Sequence, residues 1–308
     1  MKRPRIVFFG NSDFSVTILD ALTRAPFDIV AVITSPDEPK GRGGRLAPPP
    51  AALYAQEQSL PLIQQKRIIK DVVPSCDLGV IASYGHIIPN EILMIPTHGT
   101  LNVHPSLLPH LRGPSPIQTA LADGLTKTGM TIMLTDGEMD HGPIIAQESL
   151  AIVDTDDAES LEKKLALLGA KLLVETIPSW LAGTLKAREQ DHTQATYTKL
   201  LTKETGHIDW SKNANEIING IRAHKVWPTS WSILDESRVK IVHAKTTPHT
   251  RPHGVVPGTL YAAQNKILVA TQDFFIELLF IQQANRSIIT GSAWLAGSHN
   301  ALSGKVLR

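Results

Sequence analysis

The chain has 308 residues, 42% hydrophobic and 19% charged, with a formal net charge of +1, enough to bury a large core and to divide into two domains. Its single cysteine, Cys76, excludes an intrachain disulfide and a zinc-type cysteine cluster and suits a reducing cytoplasm. The apolar run Ile6 to Phe9 is too short for a signal peptide, and even Phe274 to Ile281 is interrupted by Glu277, so a soluble protein with no membrane partner is expected.

Short apolar runs alternate with amphipathic ones through the first half. Residues 5–9, 28–34, 78–82, 100–103 and 130–134 read as strands, and 14–24, 51–58 and 116–123 as helices. That alternation predicts an α/β domain with a Rossmann-like, mostly parallel sheet covered by helices. Gly10 closes the first strand, but no G-x-G-x-x-G follows it, which argues against a nicotinamide cofactor. A long helical pattern over 157–182 carries Leu161, Leu165, Leu168, Leu172 and Ile177, and the polar stretch 186–204 reads as a linker. The expected boundaries are a catalytic domain over 1–185, the linker over 186–204, and a second domain over 205–308.

Beyond the linker the runs near 231–234, 239–244, 258–260, 267–270 and 275–281 are short, β-rich and separated by Gly, Pro, Asn and Asp, which predicts a small β-barrel. Charge divides with the fold. Residues 205–308 hold 11 Lys and Arg against 6 Asp and Glu, net +5, whereas residues 1–204 hold 19 against 23, net −4. A mildly basic barrel beside an acidic domain suits a nucleic-acid partner. Trp227 and Trp231 read as core residues of the barrel.

The chemistry concentrates at one strand end. Asn102 and His104 stand two apart in the run from Gly99 to Pro105, so they share a face, and Pro105 stops ladder pairing just beyond them. Open α/β sheets place ligand crevices at such strand ends. A carboxamide beside an imidazole can polarise a carbonyl and handle a proton. Asp140 lies in a turn-rich loop marked by Gly137, Gly142 and Pro143 that follows the strand over 130–134, and two successive strands of one sheet would bring it back over His104, where its carboxylate would hold the imidazolium. A second loop, 35–50, is rich in Pro and Gly and carries Lys40, Arg42 and Arg45; a loop of that length inside a domain is functional or disordered.

The run Asn102-Val103-His104-Pro105-Ser106-Leu107-Leu108-Pro109, continued by Arg112-Gly113-Pro114-Ser115-Pro116-Ile117-Gln118 and joined by Asp140, resembles the signature of the folate-dependent formyltransferases. Gly10 to Phe14, Pro36-Asp37 with Gly41-Arg42-Gly43, Tyr84-Gly85, Thr131 to Met133, Ile208 to Trp210, and Ile221 to Ala223 through Trp227-Pro228 to Trp231 narrow the likeness to the methionyl-tRNA formyltransferase family. The resemblance spans nearly the whole chain. It implies an OB-like fold for the barrel and Asn102, His104 and Asp140 as the catalytic trio. It further implies 10-formyltetrahydrofolate as co-substrate with no metal, and the α-amino group of initiator methionyl-tRNA as acceptor. Ser106, Leu107, Leu108 and Pro109 match the folate-contacting loop, with Tyr84 and Gly85 as a second pterin wall. Arg42, Lys40 and Arg45 match a basic loop that enters the acceptor stem, and Arg222 and Lys225 are expected as further RNA contacts. Asn285-Arg286-Ser287 stands where the family commonly has a basic run, so one tRNA contact is expected to be missing. A monomer is expected. The same trio would serve a sugar-nucleotide formyltransferase or a formyltetrahydrofolate hydrolase, and a tRNA-binding module without catalysis is the non-enzyme alternative.

Overall fold

The computed structural model describes residues 2–40, 44–298 and 301–308, and of Lys40 the backbone alone. The chain forms two units: one comprises 1–116, 127–151 and 162–199, the other 117–126, 152–161 and 200–308. The elements in chain order up to residue 181 are β1 (Arg5–Gly10), α1 (Asp13–Arg24), β2 (Asp28–Thr34), β3 (Glu38–Lys40), β4 (Arg45–Ala47), α2 (Pro50–Glu57), β5 (Leu62–Gln64), β6 (Leu78–Ala82), α3 (Asn90–Leu93), β7 (Thr100–His104), α4 (Pro116–Ala122), β8 (Lys127–Leu134), β9 (Ile144–Ala151) and α5 (Ala158–Leu181).

In the first unit seven strands form one sheet in the order β5-β2-β1-β6-β7-β8-β9. The five strands from β5 to β7 run parallel, as the alternation of apolar and amphipathic segments predicts. The last two add antiparallel. The link between β8 and β9 is nine residues, 135–143, too short for the crossover that a parallel partner needs. Helix α1 is started by a capping box between Ser12 and Ser15 and buries Phe14, Ile18, Leu19 and Leu22, positions that recur on one helical face. The loop 35–50 contains the small antiparallel hairpin β3–β4.

Alternation along β7 decides which residues reach the core. Leu101 and Val103 are buried, and the Val103 side chain meets Gly169 of α5, where an added Cβ would lie 3.0 Å from Val103 and 2.8 Å from Met130. With that face covered by helix, Asn102 and His104 are left to the other. The segment expected as a linker joins the first unit through residue 199: Arg188 exchanges backbone hydrogen bonds with Ile144, and Arg112 donates its N–H to Thr196 O while its carbonyl accepts from Thr198 N. Its Gln190, Thr196 and Thr198 side chains bond to that unit.

The second unit contains α6 (Ala214–Ala223), β10 (Ser230–Leu234), β11 (Ser237–Thr250), β12 (Leu260–Ala263), β13 (Lys266–Ala270), β14 (Phe274–Gln283), β15 (Ile288–Thr290) and α7 (Gly291–Gly297). The sheet order is β10-β11-β14-β13-β12, with β15 paired to β14, and every pairing is antiparallel. Residues 305–308 then bridge the two outer strands. Ile233 and Arg308 exchange hydrogen bonds of 2.7 and 2.9 Å, Lys305 O accepts from Leu260 N at 2.8 Å, and Leu307 N donates to Gly258 O at 2.9 Å. Both sheet edges are thereby paired, which closes the sheet as the predicted barrel requires. Trp231 is buried in this unit, whereas Trp227, also expected in the core, is 48% exposed; it stands in the turn after α6, beyond the reach of that helix's buried face. Among the described residues no helix is long and apolar enough to cross a membrane.

Leu307 is 1% exposed and belongs to the barrel core although its neighbourhood carries no sequence motif. Leu307→Ala is expected to destabilise the second unit by about 2–5 kcal/mol, read by denaturant unfolding of the full chain. A loss under about 0.5 kcal/mol would mean that the closing segment is not part of the folded core.

Candidate active site

Strand β7 pairs with β8 so that His104 lies opposite Thr131 and Asn102 opposite Met133. The loop after β8 then carries Asp140 back to both. Asn102 Nδ2 donates to Asp140 Oδ1 at 3.1 Å, His104 Nδ1 stands 3.5 Å from the same oxygen, and the Gly113 backbone N–H donates to Asp140 Oδ2 at 2.7 Å. The Asp140 side chain is 12% exposed, and His104 is buried. The trio therefore meets, and it does so around a carboxylate with both oxygens held.

The hydrogen-bond roles follow from what each group can do. The Leu111 carbonyl lies 3.0 Å from His104 Nε2, and a carbonyl can only accept, so Nε2 carries a proton. Both ring nitrogens thus face protein acceptors, Leu111 O on one side and Asp140 Oδ1 on the other. The Asn102 amide has a second N–H not used by Asp140, so the donor first available to a bound carbonyl oxygen is Asn102.

Two turns hold this arrangement. Gly113 has φ +108°, and a Cβ there would lie 2.8 Å from Thr198 Oγ1, so a side chain would push the loop off the residues that seat it. Asp140 itself sits at φ +50°, the left-handed region. Gln190 Nε2 donates to Asp140 O at 3.0 Å and to Gly142 O at 2.7 Å. Leu111, Gly113 and Gln190 were given no role by sequence reasoning. The only signal for Gln190 was polarity, which it shared with the rest of its segment.

The expected folate loop is largely self-satisfied. Ser106 is fully buried and donates to His110 O at 2.6 Å; Leu108 is buried, donates from its N to Thr131 Oγ1 at 3.2 Å and accepts from Gln147 Nε2 at 3.0 Å. Leu107 and Pro109 remain half-buried, so the loop offers shape and apolar surface more than free polar groups. Tyr84 lies in the core, edge-on to Phe9 at 5.8 Å and to His86 at 5.3 Å, and burial pushes its hydroxyl up. Gly85, next to it, is exposed.

Of the basic residues, Arg45 is exposed at the start of β4. Arg42 and the Lys40 side chain lie outside the described residues. Arg222 is drawn inward: Nε donates to Asp156 O and Nη2 to Val153 O, and Nη1 donates to Asn219 Oδ1 at 3.2 Å. Lys225 is paired with Asp157. A cleft of about 920 Å³ in the second unit is lined by Asp123, Asn219, Arg222, Lys225 and His243 among others, and it holds none of the trio.

A Rossmann-like sheet with an amide, an imidazole and a carboxylate at its strand ends, followed by a closed antiparallel sheet, defines a class. The formyl transferase family model matches residues 4–177, and that for the formyl transferase C-terminal domain matches 200–299. A methionyl-tRNA formyltransferase of Chloroflexus aurantiacus is 41% identical over 303 residues, covering 96% of this chain and 97% of its own. One from Staphylococcus aureus is 36% identical over 311 residues, covering 98% and 99%. The structure of an N-formyltransferase from Helicobacter canadensis in complex with folinic acid and dTDP-3-aminofucose is alike in fold, with a TM-score of 0.68 at 20% identity, covering 92% of this chain and 100% of that one. The chain belongs to the formyl transferase family, among the methionyl-tRNA formyltransferases.

The Lys225–Asp157 pair makes a prediction about stability. Burial opposes ionisation of Asp157, but the Lys225 ammonium and the backbone N–H groups of Ser160 and Glu159 outweigh it and hold the carboxyl below its ordinary range. A carboxyl lowered on folding contributes stability that is present above its unfolded pKa of about 3.9 and is lost as pH falls through the folded value. Lys225→Met should therefore cost about 0.5–1 kcal/mol at neutral pH, the pair being partly exposed. Thermal melts at pH 7 and in strong acid should show the gap to wild type closing in acid; a gap that is constant with pH would rule out the ion pair.

Proposed function

We propose that this chain transfers the formyl group of 10-formyltetrahydrofolate to the α-amino group of methionine esterified to initiator tRNA. One observation carries the reading: Asn102 and His104 converge on Asp140 in a chain that is 41% identical over 96% of its length to a methionyl-tRNA formyltransferase. In the reaction the neutral amine adds to the formyl carbon, an oxyanion develops on the formyl oxygen, and the carbon–N10 bond breaks as the amine's proton is delivered to N10. Asn102 donates its unspent N–H to the developing oxyanion. Asp140 accepts the proton of the incoming amine, directly or through a water, and passes it on toward N10. His104, held through Nε2 by Leu111, turns Nδ1 toward Asp140 Oδ1 at 3.5 Å, so the ring fixes the orientation of the carboxylate. No covalent enzyme intermediate is required.

Leu107 and Pro109 supply the apolar wall for the pterin, preorganised by the internal bonds of their loop, with the Gly85 backbone opposite. The tRNA is met by the basic residues of 35–50, Arg45 among them, and by the 205–308 region with its net charge of +5. Arg222 and Lys225 brace their own unit and meet RNA only with the surface left exposed. The chain acts as a monomer in the cytoplasm.

The acceptor is tested by incubating the chain with 10-formyltetrahydrofolate and methionyl initiator tRNA, a nucleotide amino-sugar, or no acceptor. Formylmethionyl-tRNA is the expected product; formyl-sugar, or formate released without acceptor, would overturn the assignment. Asn102→Ala should lower the rate about 10²-fold to 10³-fold, the cost of one oxyanion donor. His104→Ala and Asp140→Ala should each fall by at least about 10²-fold with the circular dichroism spectrum unchanged. Activity within a few-fold of wild type would refute the roles given to them.

A further inference from the structure

Arg112 is 1% exposed, yet among the described residues no carboxylate pairs with it. Its guanidinium is held by neutral dipoles instead. Nε and Nη2 both donate to Gln190 Oε1, at 3.2 and 2.7 Å, Nη2 also donates to His192 Nδ1 at 2.9 Å, and Nη1 donates to the Tyr197 hydroxyl at 3.3 Å. A buried cation without a counter-ion is costly to keep, and such groups concentrate where a site must be held in shape.

The partners point to what is being held. Gln190 is 5% exposed and all of its side-chain bonds are directed: its oxygen takes two N–H groups from Arg112, and its nitrogen gives one to each of the carbonyls of Asp140 and Gly142. Only an amide can accept at one end and donate at the other in this way. Because Arg112 can only donate, His192 Nδ1 must accept, which places that ring's proton on Nε2. The His192 ring in turn stacks on His141 at 4.0 Å and 3° between planes, and His141 is the residue between the two carbonyls that Gln190 grips. His141 is anchored on its other side by Asp136 at 2.8 Å. Next to Arg112 in the chain, Gly113 holds the Asp140 carboxylate itself.

We infer that Arg112 and Gln190 form a positioning pair, which grips the backbone of 140–142 in its left-handed turn and so sets the place of the Asp140 carboxylate for formyl transfer. Neither touches a reacting atom, and the role rests on the function proposed above. It assigns a catalytic consequence to a segment whose sequence reads as linker. A misplacement of about 1 Å in a reacting group can cost on the order of 10²-fold in rate, which is the scale of effect the pair should control.

Gln190→Glu separates positioning from folding. The carboxylate still accepts from Arg112, and adds an ion pair, but it sets an oxygen against the carbonyls of Asp140 and Gly142 where an N–H had been. In the full chain, assayed with 10-formyltetrahydrofolate and methionyl-tRNA, kcat is expected to fall about 10²-fold, with KM for both substrates within about threefold of wild type and no loss of thermal stability. Combined with Asp140→Ala, the substitution should add nothing further, since its effect passes through Asp140. A kcat within about threefold of wild type, a loss seen only in KM, or a full additional loss in the Asp140→Ala background overturns the inference. Should Gln190→Glu melt below the assay temperature, Gln190→Met, uncharged and of similar length, is judged by the same criteria. Wild-type chain that transfers no formyl group at all would instead refute the proposed function, and the positioning role with it.

Discussion

Both carboxylate oxygens of Asp140 are held, one by Asn102 and His104 and the other by the backbone N–H of Gly113. That convergence draws together parts of the chain far apart in sequence. Strand β7 provides two of the side chains because a covered helix-facing side sends Leu101 and Val103 inward and Asn102 and His104 the other way. The antiparallel hairpin of β8 and β9 provides the third, since a short connection returns the chain to the same end of the sheet. The loop after β7, closed by a glycine that Thr198 leaves no room to replace, provides the fourth member. A carboxylate so constrained is a fixed point for proton transfer, because its orientation is set before any substrate arrives.

The second unit meets a different constraint. A small antiparallel sheet has two edges that must be paired or covered, and here residues 305–308 pair with both. Basic side chains divide by how they are spent: Arg222 and Lys225 of this unit on carbonyls and on a carboxylate, whereas Arg45 of the first unit is exposed. Net charge along a sequence therefore overstates the charge that is free to meet a phosphate.

Much of the fold was legible. The 3.6-residue pattern of α1 and the short apolar runs of β1, β2, β6 and β7 are local properties of the chain, and the expected bounds lie within a residue or so of the observed ones. The hairpin within 35–50 was not foreseen, nor was the antiparallel run of β9, because strand direction depends on the length and path of connections rather than on composition. Trp227 was read as core and is half exposed, since the sequence records that a side chain is aromatic but not which side of a turn it occupies.

By itself the amino-acid sequence determined the fold class, the pairing of Asn102 with His104 on one strand face and the presence of an acid at Asp140, all matters of spacing and residue type. Tertiary structure alone decided that Gln190 and Thr198, in the polar stretch after α5, seat the loops of Arg112 and Asp140, and that Gln190 joins a buried arginine to the loop of Asp140. The reason is the range of the forces involved. Periodicity and propensity act over a few residues, whereas the hydrogen bonds of Gln190, to partners 48 to 78 residues away, exist only once the sheet has brought those segments within about 3 Å of one another.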